Sequence, residues 1–226
     1  MAQGEPFVTA MPDLIAARRL LHEGACELGL ELSDHQNRAL CDYLQLLVAW
    51  NRAYNLMATR DPLEVVTRHL LDSLSVLPWI SGSRIVDVGS GAGLPGIPLA
   101  IMRPAQRFTL LDSNGKRCKF LFQAKLALQL PNVDVHRGRC EAFFPSPRYD
   151  TVISRAFADI AKLCRLAGHL CADRGSILAM KGKPAARELS AALLPYNVTA
   201  CHQLEVPGLD AHRVLVVINR HGGENA

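Results

Sequence analysis

Residues 87–96 read DVGSGAGLPG and follow the short apolar run Arg84-Ile85-Val86. Four glycines in eight positions, after a strand and before a helix, let backbone lie close against a ligand. Gly91, Gly93 and Gly96 fit G-x-G-x-x-G, the dinucleotide fingerprint, and Asp112 stands about where its ribose-binding carboxylate belongs. Asp87 argues the other way. A pyrophosphate loop has apolar residues ahead of its first glycine, because a carboxylate at the strand tip repels phosphate and favours a cation. S-adenosylmethionine (SAM) carries a sulfonium and an ammonium and no phosphate. D-x-G-x-G-x-G from Asp87 to Gly93, with a second strand ending Leu110-Leu111-Asp112, therefore favours SAM over NAD. A tight turn in an unliganded α/β domain is the purely structural alternative. The third strand should deliver the group that recognises adenine. Cys140 and Glu141, in RGRCEAF at 137–143, lie at that strand's C-terminal edge, where ligands bind in open α/β sheets.

The elements around these residues divide into two stretches. Up to residue 80 the pattern is helical. Ser33 with Gln36 forms a capping box, and Leu40, Tyr43, Leu44, Leu47 and Val48 follow i, i+3, i+4 spacing. A further helix begins with Asp61 as N-cap, Pro62 at its first position and Glu64 at N3. It shows an apolar face of Val66, Leu70, Leu74 and Leu77 until Pro78 ends it. An earlier helix falls around 12–28. From residue 84 short β-type runs (RIVDVG, RFTLLD, VDVHR, YDTVISR, GSILAMKG) alternate with helical stretches at 116–130 and 159–173. Such alternation means βαβ units on a parallel sheet. The last two strands, near 197–206 and 213–220, are joined only by PGLDAH, which suits a hairpin and places one antiparallel strand at the end. The expected fold is thus α/β, a class I SAM-dependent methyltransferase with a mostly parallel seven-stranded Rossmann-like sheet and an antiparallel last strand. An N-terminal helical extension, 1–80, packs on a catalytic domain, 81–226.

Composition narrows the function. The 226 residues are 49% hydrophobic, enough for a sizeable core, yet no run approaches the ~18 apolar residues of a membrane span. The opening residues show no basic segment leading into an apolar one, so no signal peptide is expected and the protein is placed in the cytoplasm. Seven cysteines without any C-x-x-C spacing exclude a disulfide framework or zinc ribbon and are expected to be mostly buried thiols. Eight histidines without H-x-x-x-H or H-x-H spacing give no metal site. The net charge of +4 is uneven. Residues 1–80 hold six Arg, no Lys and ten acids, whereas 103–187 hold sixteen basic residues against six acids. A local surplus of that size fits an anionic partner larger than a cofactor, nucleic acid first. A generally basic solvated surface is the bland alternative. No additional apolar face is evident, so a monomer is expected.

With DVGSGAGLPGIPLAI, TLLDSNGKRCKFL, RCEAF, ISRAFAD and AMKG on the page, together with WNRAYNL at 50–56, RDP at 60–62 and RHLLDSL at 68–74, the chain closely resembles the RsmG/GidB family over roughly 33–220. LPGIP and RHLLDSL make the likeness specific, because generic methyltransferases share only the glycine loop. The resemblance implies a SAM-dependent methyltransferase acting on N7 of a guanine in bacterial 16S ribosomal RNA, the family's target being guanine 527. It implies that Gly89 and Leu94 are cofactor-loop positions, that Cys140 and Glu141 are the adenosine-binding pair, and that Arg155 is a further cofactor-site residue. Cys140 departs from the usual Ala or Val at its position. Asp112 joins them on geometry as well.

The residues are consistent with that chemistry. Guanine N7 has an in-plane lone pair and no proton, so methyl transfer needs alignment more than a general base. SRAFAD stands where N-P-P-Y would hold an exocyclic amine, and no Pro-Cys pair marks a C5-cytosine enzyme. Lys116, Arg117 and Lys119 open the helix after the second strand, and Lys181 and Lys183 close the fifth. Both groups are candidates to grip RNA phosphates, with ordinary solvated cations as the alternative. Arg68 and Asp72 are spaced to pair within one helix. His69 beside them is the one candidate for a catalytic side chain, and the helix itself could otherwise cover the cofactor cleft and help place RNA. Two other functions stay open at this level. One is a small-molecule methyltransferase, whose mark would be an aromatic-lined pocket, or one acting on another RNA. The other is a non-enzymatic sensor of SAM or a nucleotide.

Overall fold

The computed structural model of the chain describes residues 12–155, 157, 159–183 and 194–221. Helix α1 (Pro12–Glu27) is followed by α2 (Asp34–Tyr54). The capping box at the start of α2 forms as the sequence requires: Gln36 N–H donates to Ser33 Oγ at 3.3 Å and Ser33 N–H donates to Gln36 Oε1 at 3.0 Å. The face read from periodicity is the buried one, with Leu40, Tyr43, Leu44 and Leu47 essentially inaccessible. Each such side chain stabilises the fold by about 1.5–3 kcal/mol.

The helix expected from Asp61 is a composite rod. Asp61 Oδ1 accepts from Leu63 N–H at 3.0 Å to start α3 (Pro62–Val65). A π-helical stretch runs over Val66–Leu71, and α4 (Asp72–Leu74) completes the rod. Regular helix stops at Leu74, earlier than the apolar pattern implied, and Pro78 sits inside a 3₁₀ turn, Leu77–Trp79. The wide π turn has a further effect. It shifts Asp72, just beyond it, out of α-helical register with Arg68. The expected Arg68–Asp72 pair does not form. Arg68 Nε stands 3.9 Å from Glu64 instead, and Asp72 turns inward to other partners.

The sheet begins with β1 (Arg84–Val88), leads through α5 (Gly96–Met102) to β2 (Arg107–Asp112), and through α6 (Gly115–Ala127) to β3 (Val133–Arg137). It continues with β4 (Tyr149–Ser154), α7 (Ile160–Ala167), β5 (Cys171–Lys181), β6 (Tyr196–Leu204) and β7 (Arg213–Arg220). The strand order is β3-β2-β1-β4-β5-β7-β6. All neighbours from β3 to β5 are parallel, and β7 runs antiparallel to both β5 and β6. The closing hairpin therefore inserts its second strand beside β5 and leaves β6 at the edge. The helix expected over 159–173 ends at Ala167, because Cys171 is already paired with Tyr149 in the sheet.

One continuous apolar cluster joins the inner faces of α1, α2 and the composite rod to α5, α6 and one face of the sheet. A second cluster under α7 fills the other face. Five cysteines are buried in these layers, whereas Cys26 and Cys201 are exposed, and all seven are free thiols.

Candidate functional site

The tips of β1, β2, β3, β4 and β5 converge on one edge, and the glycine loop 89–95 crosses it between β1 and α5. Gly89 and Gly91 take φ of +74° and +59°, where a side chain would cost about 1–2 kcal/mol. Their amides are committed. Gly89 and Ser90 N–H donate to Leu111 O at 2.8 and 3.1 Å, and Gly91 N–H donates to Asp112 Oδ2 at 2.9 Å. Gly93 and Leu94 N–H both donate to Ser90 O, Gly96 N–H to Asp87 Oδ2, and Ile97 N–H to Gly93 O. Apart from the Ala92 amide, the donors that a dinucleotide loop aims at pyrophosphate are spent inside the protein here.

Asp87 is fully buried, and its Oδ2 occupies the start of α5, 2.9 Å from Gly96 N. A methyl group on Gly96 would lie 2.8 Å from that oxygen, so the third glycine of the motif lets the carboxylate approach. Asp87 Oδ1 has no hydrogen-bond partner among the described residues. Burial pushes the carboxyl up to about 7, against the pull of Gly96 N–H, the Ser90 hydroxyl and the more distant Arg155 cation. An orphaned, buried carboxylate oxygen beneath the loop fits a cationic ligand and opposes an anionic one.

Asp112, 4% exposed, has Oδ1 2.8 Å from Asn114 N as well as Oδ2 on Gly91 N–H, and Arg117 stands 3.6 Å away. Each oxygen keeps a lone pair for a ribose hydroxyl. The β3 tip is tied alongside, because Gly138 N–H donates to Asp112 O at 3.1 Å. Cys140 is buried at the start of a 3₁₀ turn, and its thiol lies 3.3 Å from Glu141 Oε2. Desolvation is the first cause lifting the Cys140 thiol, to about 11, so it stays protonated. Glu141 is held below the ordinary carboxylate range by a backbone N–H, with the Cys140 thiol and Arg139 adding to that. Gly89, Gly91, Asp112, Cys140 and Glu141 thus lie at the C-terminal tips of β1, β2 and β3, with Gly91 bonded to Asp112 and Gly138 tying the β3 tip to β2. Leu94 is placed differently: its side chain is buried in the apolar core, leaving only its backbone to face the loop.

Arg155 belongs to a second cleft across the β1 tip. Ser154 Oγ donates to Val88 O at 2.7 Å, locking the end of β4 against β1. Beyond it Arg155 Nη1 lies 3.1 Å from Asp72 Oδ2 and 3.3 Å from His69 Nδ1. Arginine has only donors, so His69 Nδ1 accepts and Nε2 carries the proton. Burial and the Arg155 cation hold the imidazole down at about 4, and it is neutral. The cleft, about 410 Å³, is lined by Arg68, His69, Asp72, Arg155, Met180, Lys181, Gly182 and Arg213. A larger cavity lies at the opposite edge, around Arg148, Arg165 and Arg220, away from the loop.

The remaining candidate cations border this edge. Lys116, Arg117 and Lys119 project from the start of α6, whose Lys116 and Arg117 amides are capped by Asn114 Oδ1 at 2.9 and 3.3 Å. Lys181 is half-buried in the cleft and Lys183 is exposed just beyond it. Three site features escaped the sequence reading. Tyr43, fully buried, donates its hydroxyl to Ala92 O at 2.5 Å and pins the glycine loop to α2. A phenol at a helix-core position was the signal for such a partner. Asp72 and Arg213, joined at 2.9 Å, carried no local signal, being 141 residues apart.

Similarity to known proteins agrees with this geometry. The profile of the family described as rRNA small subunit methyltransferase G matches residues 36–216. The chain belongs to this family. A relative from Saccharophagus degradans named ribosomal RNA small subunit methyltransferase G is 50% identical over 88% of this chain and 89% of its own length. Relatives of the same name from Nitrosococcus oceani and Pseudomonas aeruginosa are 46% and 48% identical, covering 91% and 88% of this chain and 97% and 94% of their own lengths. Among solved structures, the glycopeptide N-methyltransferase MtfA in complex with SAM superposes with a TM-score of 0.56 over 68% of this chain and 88% of that one, at 12% identity. A SAM-dependent methyltransferase from Aquifex aeolicus gives 0.51 over 69% and 92%, at 14% identity. These two likenesses show the fold: this chain has a class I methyltransferase sheet with helices added at its N-terminus.

Proposed function

We propose that this methyltransferase transfers the methyl group of SAM to N7 of a guanine in small-subunit (16S) ribosomal RNA. The observation that carries the reading is the committed glycine loop: amides spent, a buried carboxylate oxygen left without a partner, and Asp112 beside them. Gly89, Gly91 and the backbone of Leu94 would line the methionine portion. Asp87 would supply negative charge below the loop, Asp112 would take the ribose hydroxyls, and Cys140 with Glu141 would flank the adenine. The bound cofactor supplies an electrophilic methyl group on sulfur. The chain's part is orientation. No carboxylate among the cleft residues is available as a base, since both oxygens of Asp72 are engaged, and N7 has no proton to remove. His69, neutral, offers a hydrogen-bond donor rather than a base. No Phe, Tyr or Trp lines the cleft, which disfavours a small aromatic substrate, whereas its cations suit RNA.

In this reading the enzyme works as a monomer in the cytoplasm on ribosomal RNA or the small subunit. Among the described residues no helix is long and apolar enough to cross a membrane. The test is incubation with methyl-labelled SAM and small subunits from cells lacking this methylation, followed by nucleoside analysis. Label in 7-methylguanosine is expected. Label in another nucleoside, in protein or in a small molecule would overturn the assignment.

A further inference from the structure

We propose that Arg213, clamped by the buried carboxylate of Asp72, is a phosphate-binding residue that receives the RNA backbone beside the target nucleotide. The inference rests on the RNA methyltransferase reading above and deepens it. Asp72 is 1% exposed and gives one oxygen to each of two guanidiniums: Oδ2 to Arg155 at 3.1 Å and Oδ1 to Arg213 Nε at 2.9 Å. A single carboxylate cannot neutralise both guanidiniums, which line one cleft. Two like charges held side by side on one buried carboxylate repel each other, and the pair keeps a net positive charge. It is what a site for an incoming anion requires.

The unspent donors are on Arg213. Its Nε is used on Asp72 and its Nη1 on His212 O at 3.0 Å, while Nη2 makes no hydrogen bond among the described residues. The guanidinium, a quarter exposed, is held by Asp72, and Arg213 lines the cleft with that donor unspent. A fixed planar fork is suited to a phosphate.

Two anions could occupy the cleft: an RNA phosphodiester or the carboxylate of the cofactor's methionine portion. Position separates them. Arg155 follows β4, next to β1 and its glycine loop, whereas Arg213 opens β7, three strands from β1. Their guanidiniums share the Asp72 carboxylate and lie side by side, with Arg213 reaching it from the strand farther from the glycine loop. Arg213 is thereby assigned to the RNA.

Arg213→Gln and Arg213→Lys test this. Lysine keeps a cation for Asp72, and so keeps the fold, but one ammonium cannot serve Asp72 and a phosphate with a fork's geometry. Three quantities are measured on each variant: KM for unmethylated small subunits as a function of salt, the Kd of S-adenosylhomocysteine by calorimetry, and the melting temperature. Both variants are expected to raise KM about tenfold, the equivalent of about 1.4 kcal/mol. For Arg213→Gln the slope of log affinity against log salt should fall by about 0.7–0.9. S-adenosylhomocysteine affinity should be unchanged in both, and Arg213→Lys should melt as the wild type does. Wild-type KM in Arg213→Lys would overturn the proposal. So would a parallel loss of S-adenosylhomocysteine binding, which would assign the arginine to the cofactor carboxylate. If the wild type itself forms no 7-methylguanosine in the subunits, the RNA reading fails first, an outcome distinct from either.

Discussion

Asp87→Asn, followed across pH, probes the charge beneath the glycine loop. Asp87 is fully buried, with one oxygen on Gly96 N–H and the other unpartnered. Burial lifts its pKa from the ordinary 3.8 to about 7. Because the folded state holds the proton more tightly than the unfolded chain, its contribution to stability is complete below pH 3.8 and is lost as pH rises to about 7. The full swing is about 4 kcal/mol at about 1.4 kcal/mol per unit. A cationic ligand binds the ionised form, so SAM affinity should climb about tenfold between pH 6 and pH 8 and flatten above that. Asparagine keeps an acceptor for Gly96 N–H but cannot ionise. Its SAM affinity should be flat across the same range and no higher at pH 8 than the wild type's at pH 6. Its melting temperature should overtake the wild type's as pH rises. Calorimetric titration in two buffers of different ionisation enthalpy should show protons released on SAM binding at pH 6.5 by the wild type and none by the variant. Identical pH profiles for the two proteins would refute the electrostatic reasoning.

Tyr43→Phe removes the hydroxyl that pins Ala92 O, leaving a buried carbonyl unsatisfied. It should cost about 1–3 kcal/mol in denaturant melts and weaken SAM binding, although residue 43 lies on α2. Asp72→Ala strips the counter-charge from Arg155 and Arg213 and should cost about 3–5 kcal/mol. Arg68→Gln breaks only the exposed 3.9 Å contact with Glu64 and should cost no more than about 1 kcal/mol, both read from chemical denaturation. Replacing Lys116, Lys119 and Lys183 together with Gln should reduce the salt slope of RNA affinity by about 2 and leave the melting temperature unchanged, and an unaltered slope would reduce these lysines to solvated surface.

Much of this was legible in the chain. Strand positions followed from short apolar runs between helical stretches, and the antiparallel ending followed from a linker too short for a crossover. The placement of the candidate residues on one edge was legible because their signals are local: the loop, the strand-ending Asp112 and the Cys140–Glu141 turn each lie within a few residues of a strand tip. What stayed hidden depends on long-range approach. Asp72 was assigned to Arg68 on α-helical spacing, and the π turn over Val66–Leu71 redirects it to arginines far along the chain. Asp87 was read for its charge at the strand tip, but nothing local in the sequence showed that it is sealed under the loop. Tyr43 was counted as an apolar contact, because periodicity registers a ring and is blind to its hydroxyl.

The spent amides of the glycine loop bear on selectivity among metabolites. SAM shares its adenosine half with ATP, ADP and NAD, so Asp112 and the Cys140–Glu141 turn would accept any of them. Discrimination must then fall on the other half of the molecule. A polyphosphate tail laid along residues 89–97 would meet backbone N–H groups that, Ala92 apart, are already engaged with Leu111, Asp112, Ser90, Asp87 and Gly93, over a floor that carries negative charge. Repelled and unsatisfied together, such a tail has nowhere to settle, and the abundant nucleotides are turned away without any bulky side chain blocking the entrance.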